Sequence, residues 1–295
     1  MEMGELRSPE DYPLGDGKLR WTCTQWLEGN LGGDFVILDC QPNIHDYIAE
    51  HIPGAVYFNP ALMRVPLGGV PGNYIPTEAA RMLFERVGVS NDRAVVVYTG
   101  TGPVKGWGDG LEQTMIAYSL LRFGANHVWV LDGGIDAWKA EGRELSQLYP
   151  EVDDGRFQID VQDDFFLSYE QFKAIKDDDG VMVLDARPAD VYQGQGPWRK
   201  PGHIPGAINV PWKSFMHPEN ARLLRSDAEI RAVLDEHGIT EDRTIVCSCG
   251  TGREATNEFV LFTYYLGFPK VRIYEGSFTQ WCHYDEATVE GPNPR

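Results

Sequence analysis

Short apolar runs punctuate the chain at intervals: Val36-Ile37-Leu38, Val95-Val96-Val97, Val181-Met182-Val183-Leu184 and Thr244-Ile245-Val246. Each is too short for a helix, is rich in β-branched residues and lacks the polar alternation of a half-exposed strand, so each predicts a strand buried on both faces. Between them, the segments 77–87, 226–237 and 254–266 mix apolar and polar residues with few breakers and predict helices. Strands alternating with helices give the α/β class, a mainly parallel sheet flanked by helices on both faces.

The pattern occurs twice. Val36-Ile37-Leu38-Asp39, His51-Ile52-Pro53-Gly54-Ala55, the run from Val89 to Gly102, Leu131-Asp132-Gly133-Gly134 and Trp138 are answered in the same order. The answering segments are Val181-Met182-Val183-Leu184-Asp185, His203-Ile204-Pro205-Gly206-Ala207, the run from Ile239 to Gly252, Tyr274-Glu275-Gly276-Ser277 and Trp281. A period this long marks a duplicated domain rather than a solenoid. The acidic, turn-rich stretch beginning at Leu148 sets the boundaries: a first domain over 1–147, a linker over 148–158 and a second domain over 159–295.

The offset between the copies is 150 from Gly88 to Gly102, which sets Thr99 opposite Cys249 and Val97 opposite Cys247. It falls to 143 by Gly124, opposite Gly267, so the first copy carries extra residues at 103–109, including Lys105 and Trp107. Those residues include a Pro and two glycines, which predict a delayed helix start. In the other direction, the second copy carries an insert over 192–200 that contains Arg199 and Lys200.

Composition narrows the functional classes. Forty-four acidic against 26 basic residues give a formal charge of −18, which argues against nucleic acid and anionic membranes as partners. No run approaches the roughly 18 apolar residues of a membrane helix, and the first residues lack a leader's apolar segment. Five cysteines, an odd number, do not form a disulfide framework; the expectation is a cytoplasmic protein. Cys247 and Cys249 have no second pair at zinc-like spacing, so no metal is expected.

Candidate chemistry gathers in Cys249-Gly250-Thr251-Gly252-Arg253-Glu254, between a predicted strand and a predicted helix. Loop amides and the positive end of a helix favour a thiolate, and cysteine's reference pKa of about 8.5 makes a reactive anion accessible there. The bland alternative is an inert buried thiol. Arg187, at the end of the Asp185-Ala186-Arg187 strand, shares the carboxyl edge of the sheet, where ligands collect in open α/β folds; its alternative is an ion pair with a nearby carboxylate. Arg199 and Lys200 read as a solvated pair.

Asp185-Ala186-Arg187, Gly202-His203-Ile204-Pro205-Gly206-Ala207, Cys249-Gly250-Thr251-Gly252 and Gly276-Ser277-Phe278-Thr279-Gln280-Trp281 resemble the rhodanese family, and the duplication resembles its tandem thiosulfate and 3-mercaptopyruvate sulfurtransferases. The resemblance implies two rhodanese-like domains, the first inactive with Thr99 at the cysteine's place. It implies that Cys249 takes a sulfane sulfur from a small anionic donor as a persulfide and passes it to cyanide, a small thiol or a thioredoxin-like protein, with no cofactor. Gly250, Thr251 and Gly252 would supply loop amides, and Arg187 and Arg253 would bind the donor. His51 and His203 match a motif whose histidine is structural, although His51 is within reach of a crevice between domains on this reading. The loop departs from the thiosulfate type, which has Arg after the Cys, and from the mercaptopyruvate type, which lacks an Arg at position 253. Glu254 is expected to point away from the thiol as a helix-dipole partner.

Two rivals stand beside this. Cys247 through Arg253 fits the cysteine-phosphatase spacing, yet the repeat sets Cys247 inside a strand. A persulfide relay or a non-catalytic rhodanese-like binding module also fits the unusual loop. Cys247 reads as a strand-packing thiol.

Overall fold

In the computed structural model, described for residues 7–104 and 109–291, the chain divides into two compact units. Lys105 and Trp107 of the first-copy insert lie outside the described residues. In chain order the elements are β1 (Leu19–Thr22), α1 (Thr24–Gly29), β2 (Phe35–Asp39), α2 (Ile44–Ala49), β3 (Ala55–Tyr57), a hairpin of β4 (Arg64–Leu67) and β5 (Val70–Tyr74), α3 (Thr77–Arg86), β6 (Ala94–Tyr98), α4 (Glu112–Arg122), β7 (Val128–Leu131) and α5 (Gly134–Ala140). The second half has α6 (Tyr169–Ile175), β8 (Val181–Asp185), β9 (Ile208–Asn209), a hairpin of β10 (Met216–His217) and β11 (Asn220–Leu224), α7 (Asp227–His237), β12 (Thr244–Ser248), α8 (Glu254–Val260), β13 (Val271–Ile273) and α9 (Ser277–His283).

The first unit is built on a five-stranded sheet of order β1-β7-β6-β2-β3, parallel throughout, and the second on a four-stranded parallel sheet of order β13-β12-β8-β9. The unbroken valine run explains the place of β6: Val95, Val96 and Val97 are wholly buried, as a central strand covered on both faces requires. Val96 and Tyr98 pack with Leu27, Ile135 and Trp138, while α4 lies along β6 and β7. In the second unit, Val183 and Val246 pack with Phe172, Phe278 and Trp281.

The sequence duplication and the compact units do not coincide everywhere. The first unit takes the chain up to Met63, Ile75–Gln162 and Met216–Ser226; the second takes Arg64–Tyr74, Asp163–Phe215 and the chain from Asp227. Each hairpin therefore belongs to the unit of the other repeat. The stretch expected as a linker is packed rather than free: Phe157 is buried, and the amide of Gly155 donates to the Glu85 carbonyl at 2.7 Å within the first unit. The predicted helices are observed at 77–86, 227–237 and 254–260, the last continuing as a wider π turn over Leu261–Tyr265.

Candidate active site

β12 and β8 run in register to their carboxyl ends, where Ser248 faces Asp185. Cys249 follows at once, and α8 begins at Glu254, so a tight loop of few residues carries the thiol from strand to helix. Gly252 adopts φ +78°, and a side chain there would meet the Glu275 carbonyl at 2.4 Å. That conformation turns the Gly252 amide onto the Cys249 sulfur at 3.1 Å. The Ala255 amide also bonds the sulfur, which makes a cradle of backbone N–H groups.

The loop is fastened to α9. Phe278 donates to the Cys249 carbonyl at 2.9 Å, and both the amide (2.9 Å) and hydroxyl (2.7 Å) of Thr279 donate to the Gly250 carbonyl. Ser277 accepts the Cys249 amide at 3.1 Å and lies 3.8 Å from its sulfur. It does so at φ +49°, the one non-glycine residue with a left-handed backbone among those described. With the offset of 143, its counterpart in the first repeat is Gly134, at φ +60°, where a side chain would strike the Thr99 carbonyl at 2.3 Å. A serine at a position that prefers glycine costs about 1 kcal/mol or more of backbone strain, here offset by its hydrogen bonds. The repeat carried this signal, a Ser against a Gly, and sequence reasoning missed it.

The sulfur is fully buried, and its acidity follows from that. Burial raises the Cys249 pKa most; the Glu254 carboxylate raises it further by its charge and by accepting a hydrogen bond, against the opposing pull of the Ala255 amide. The expectation that Glu254 points away from the thiol is therefore overturned: the side chain turns back onto the loop, with Oε2 buried and unbonded. One turn along α8, Glu258 is fully buried with neither oxygen bonded, and burial followed by the charges of Asp185 and Glu254 pushes its pKa well up. Sequence reasoning missed Glu258 because nothing in the helical pattern distinguishes it from a solvated residue.

Arg187 was expected to face an open crevice. It is instead 1% exposed and bound to Asp185, itself 2% exposed: Nε donates at 2.8 Å and 3.1 Å, and Nη2 at 2.5 Å and on to the Gly202 carbonyl at 3.1 Å. Its guanidinium lies 4.2 Å from the Phe278 ring and 5.2 Å from that of Trp198, and only Nη1 is without a partner. Trp198 comes from the second-copy insert, hydrogen-bonds Thr279 at 2.8 Å and occupies the space beside Gly250, where a side chain would meet its ring at 2.8 Å. This is why a glycine follows the cysteine. Arg253 sits half-buried at the N-cap of α8. Arg199 pairs with Asp285 at the surface, and Lys200 donates to the carbonyls of Tyr284, Asp285 and Ala287, so the pair ties down the chain after α9.

The other candidates lie apart from the sulfur. Cys247 is wholly buried inside β12, opposite Leu184 and Ile273, and burial pushes its pKa well up, which fits strand packing. His51 is buried, with its ring nitrogens on the carbonyls of Tyr47 and Leu148, so it does not reach a crevice. His203 stacks on Tyr192 at 3.6 Å and bonds its carbonyl. In the first unit Thr99 donates to the Cys40 carbonyl at 3.2 Å, and the following helix starts only at Glu112, delayed as the insert predicts. Among the described residues no cluster of His, Cys, Asp and Glu could hold a metal, and no helix is long and apolar enough to cross a membrane.

Two stretches of the chain, residues 24–141 and 168–284, match the model of the rhodanese-like domain. The chain belongs to the rhodanese family. Its two rhodanese domains are similar to a thiosulfate sulfurtransferase of Azotobacter vinelandii, 31% identical over 90% of this chain and 94% of that one. They are equally similar to the sulfur carrier protein TtuD of Thermus thermophilus, 31% identical over 88% and 92%. Among solved structures, the anaerobic ergothioneine biosynthesis enzyme of Chlorobium limicola, in complex with trimethyl histidine, superposes with a TM-score of 0.80 at 21% identity, covering 93% of this rhodanese chain and 70% of its own, a likeness of fold. The relatives' names support a sulfurtransferase class for this chain.

Proposed function

We propose that the protein moves a sulfane sulfur from thiosulfate or 3-mercaptopyruvate, through a persulfide on Cys249, to cyanide or a thiol acceptor. The observation that carries this is the sulfur at the floor of a loop whose Gly252 and Ala255 amides converge on it. The thiol passes its proton to the Glu254 carboxylate, and the thiolate's electron pair forms a bond to the donor's outer sulfur. The bond from that sulfur to the rest of the donor breaks, and sulfite leaves with the pair when thiosulfate is the donor. The terminal persulfide anion occupies the cradle of amides as an oxyanion occupies its hole. An incoming cyanide or thiolate then attacks the outer sulfur and returns Cys249 as the thiolate, which recovers its proton from Glu254.

Arg253, at the loop's rim, is the cation that meets the donor's anionic group on this reading, and Arg187 supports it through its one unbonded nitrogen, Nη1. The first unit lacks a nucleophile at Thr99. A relay that hands persulfide sulfur to a protein is a second reading, favoured by the complete burial of Cys249 and by the name of the Thermus relative. Steady-state turnover of thiosulfate and of 3-mercaptopyruvate, each with cyanide as acceptor, separates the two. Ping-pong kinetics with either donor supports the enzyme, and stoichiometric loading without turnover supports the relay. The absence of both turnover and loading would refute the proposal.

A further inference from the structure

The Cys249 loop is touched by a segment that the second repeat does not encode. The β4–β5 hairpin, from the first repeat's sequence, belongs to the second compact unit, and there it meets the loop at two consecutive residues. Gly72, at φ +85°, lies against Thr251, where a side chain on Gly72 would stand 3.5 Å from the Thr251 carbonyl oxygen and 3.6 Å from its Cβ. Arg64 donates from Nη2 to the Gly252 carbonyl at 3.1 Å.

The guanidinium of Arg64 is held from the hairpin side before it reaches the loop. Nη1 donates to the Gly72 carbonyl at 2.8 Å, and the group lies 3.8 Å over the Tyr74 ring, across the strand pair Arg64↔Tyr74. Its remaining nitrogen, Nε, is buried without a partner, so the side chain has been desolvated to deliver Nη2 to one carbonyl. Gly252 is the residue whose amide bonds the Cys249 sulfur, and its φ of +78° gives the loop its concavity. In a planar trans peptide the C=O and the following N–H point in opposite directions. Fixing the Gly252 carbonyl outward therefore fixes the orientation of the 252–253 peptide and restrains the backbone at the Cα of Gly252, whose own amide faces the sulfur.

We infer that Arg64 is a positioning residue for the sulfur-carrying loop, through which the hairpin of the first repeat sets the amide cradle around Cys249. The inference rests on the reading of Cys249 as the sulfur carrier. It gives the inactive repeat a part in the chemistry that a single rhodanese domain of this sequence would lack. Arg64 acts on the loop backbone and not on the donor, so its loss lowers kcat and shifts the thiol's reactivity, while leaving the donor's KM nearly unchanged.

The test uses the full chain with Arg64→Ala, Arg64→Gln and Arg64→Lys, and with Arg86→Ala as a control at an exposed ion pair. Iodoacetamide labelling of Cys249 is followed against pH by mass spectrometry of its peptide, beside kcat and KM for thiosulfate. Since removal of a direct oxyanion-hole donor costs about 10²–10³ in rate, loss of a residue that only aims one predicts about a ten-fold fall in kcat for Arg64→Ala and Arg64→Gln. KM should stay within about two-fold, the labelling curve should move to higher pH, and Arg64→Lys should recover part of both. Unchanged labelling and kcat in folded Arg64→Ala would overturn the inference, as would a rise in KM alone, which would make Arg64 a donor-binding group. If Arg64→Ala does not fold, Arg64→Lys and Arg64→Gln decide by the same readouts. The labelling curve needs no sulfur donor, so a wild-type protein that neither turns over nor loads refutes the function proposed above and still leaves Arg64 tested.

Discussion

Arg187→Ala is the perturbation whose size the structure fixes best. The change takes away the Arg187 side chain, which makes three hydrogen bonds to Asp185 and one to Gly202, together with the ring contacts to Phe278 and Trp198. The amide bond to Asp185 survives in alanine, so four side-chain bonds are lost. Asp185, 2% exposed, loses its counter-charge, and breaking a buried pair this way costs about 3–5 kcal/mol. At about 2–4 °C per kcal/mol for a unit of this size, the transition of the second unit should fall by roughly 6–20 °C in calorimetry. Pairing the change with Asp185→Asn removes the orphaned charge, so the double variant should be more stable than Arg187→Ala alone. A loss below about 1 kcal/mol, with a large rise in donor KM as the main effect, would refute the buried-pair reading and make Arg187 an open anion site.

Three further outcomes follow from the site and the first unit. Glu254→Gln removes the charge that holds the Cys249 pKa up, so iodoacetamide should label Cys249 faster at neutral pH, while kcat falls because the proton acceptor is gone; slower labelling would contradict the assigned contact. Ser277→Ala keeps the strained backbone and leaves the Cys249 amide without its partner, which should cost about 1–3 kcal/mol, whereas Ser277→Gly relieves the strain and should be the milder change in urea unfolding; the reverse order would refute the strain argument. In the first unit, burial pushes Asp39 from 3.8 to about 6, so between those pH values the folded state holds more protons than the unfolded one. Stability from this group is therefore complete below pH 3.8 and lost as pH rises through 6, a difference of roughly 2–3 kcal/mol, and Asp39→Asn should flatten that slope. An unchanged slope would show that Asp39 titrates normally.

The periodicity of the chain carried the fold, and the reason is physical. A parallel strand buried on both faces has to be apolar throughout, so Val95-Val96-Val97 and Thr244-Ile245-Val246 declare themselves without context. The duplication then located the loop, because a thiol at 249 against Thr99 shows up only when the copies are laid together. What stayed hidden depends on long-range packing. No local pattern tells that Trp198 lies over Arg187 and Gly250, that Glu254 turns back onto the thiol, or that each hairpin packs with the unit of the other repeat. Arg64 is hidden for the same reason, since it is 188 residues from the carbonyl it holds.

The central claim is that Cys249 carries the transferred sulfur. Intact-protein mass spectrometry after incubation with thiosulfate and removal of excess donor tests it most directly, with Cys249→Ser and Cys247→Ser run in parallel. The account predicts a gain of one sulfur atom in the wild type and in Cys247→Ser, discharged by cyanide and absent from Cys249→Ser. A sulfur adduct that persists in Cys249→Ser, or one lost only with Cys247→Ser, would contradict it.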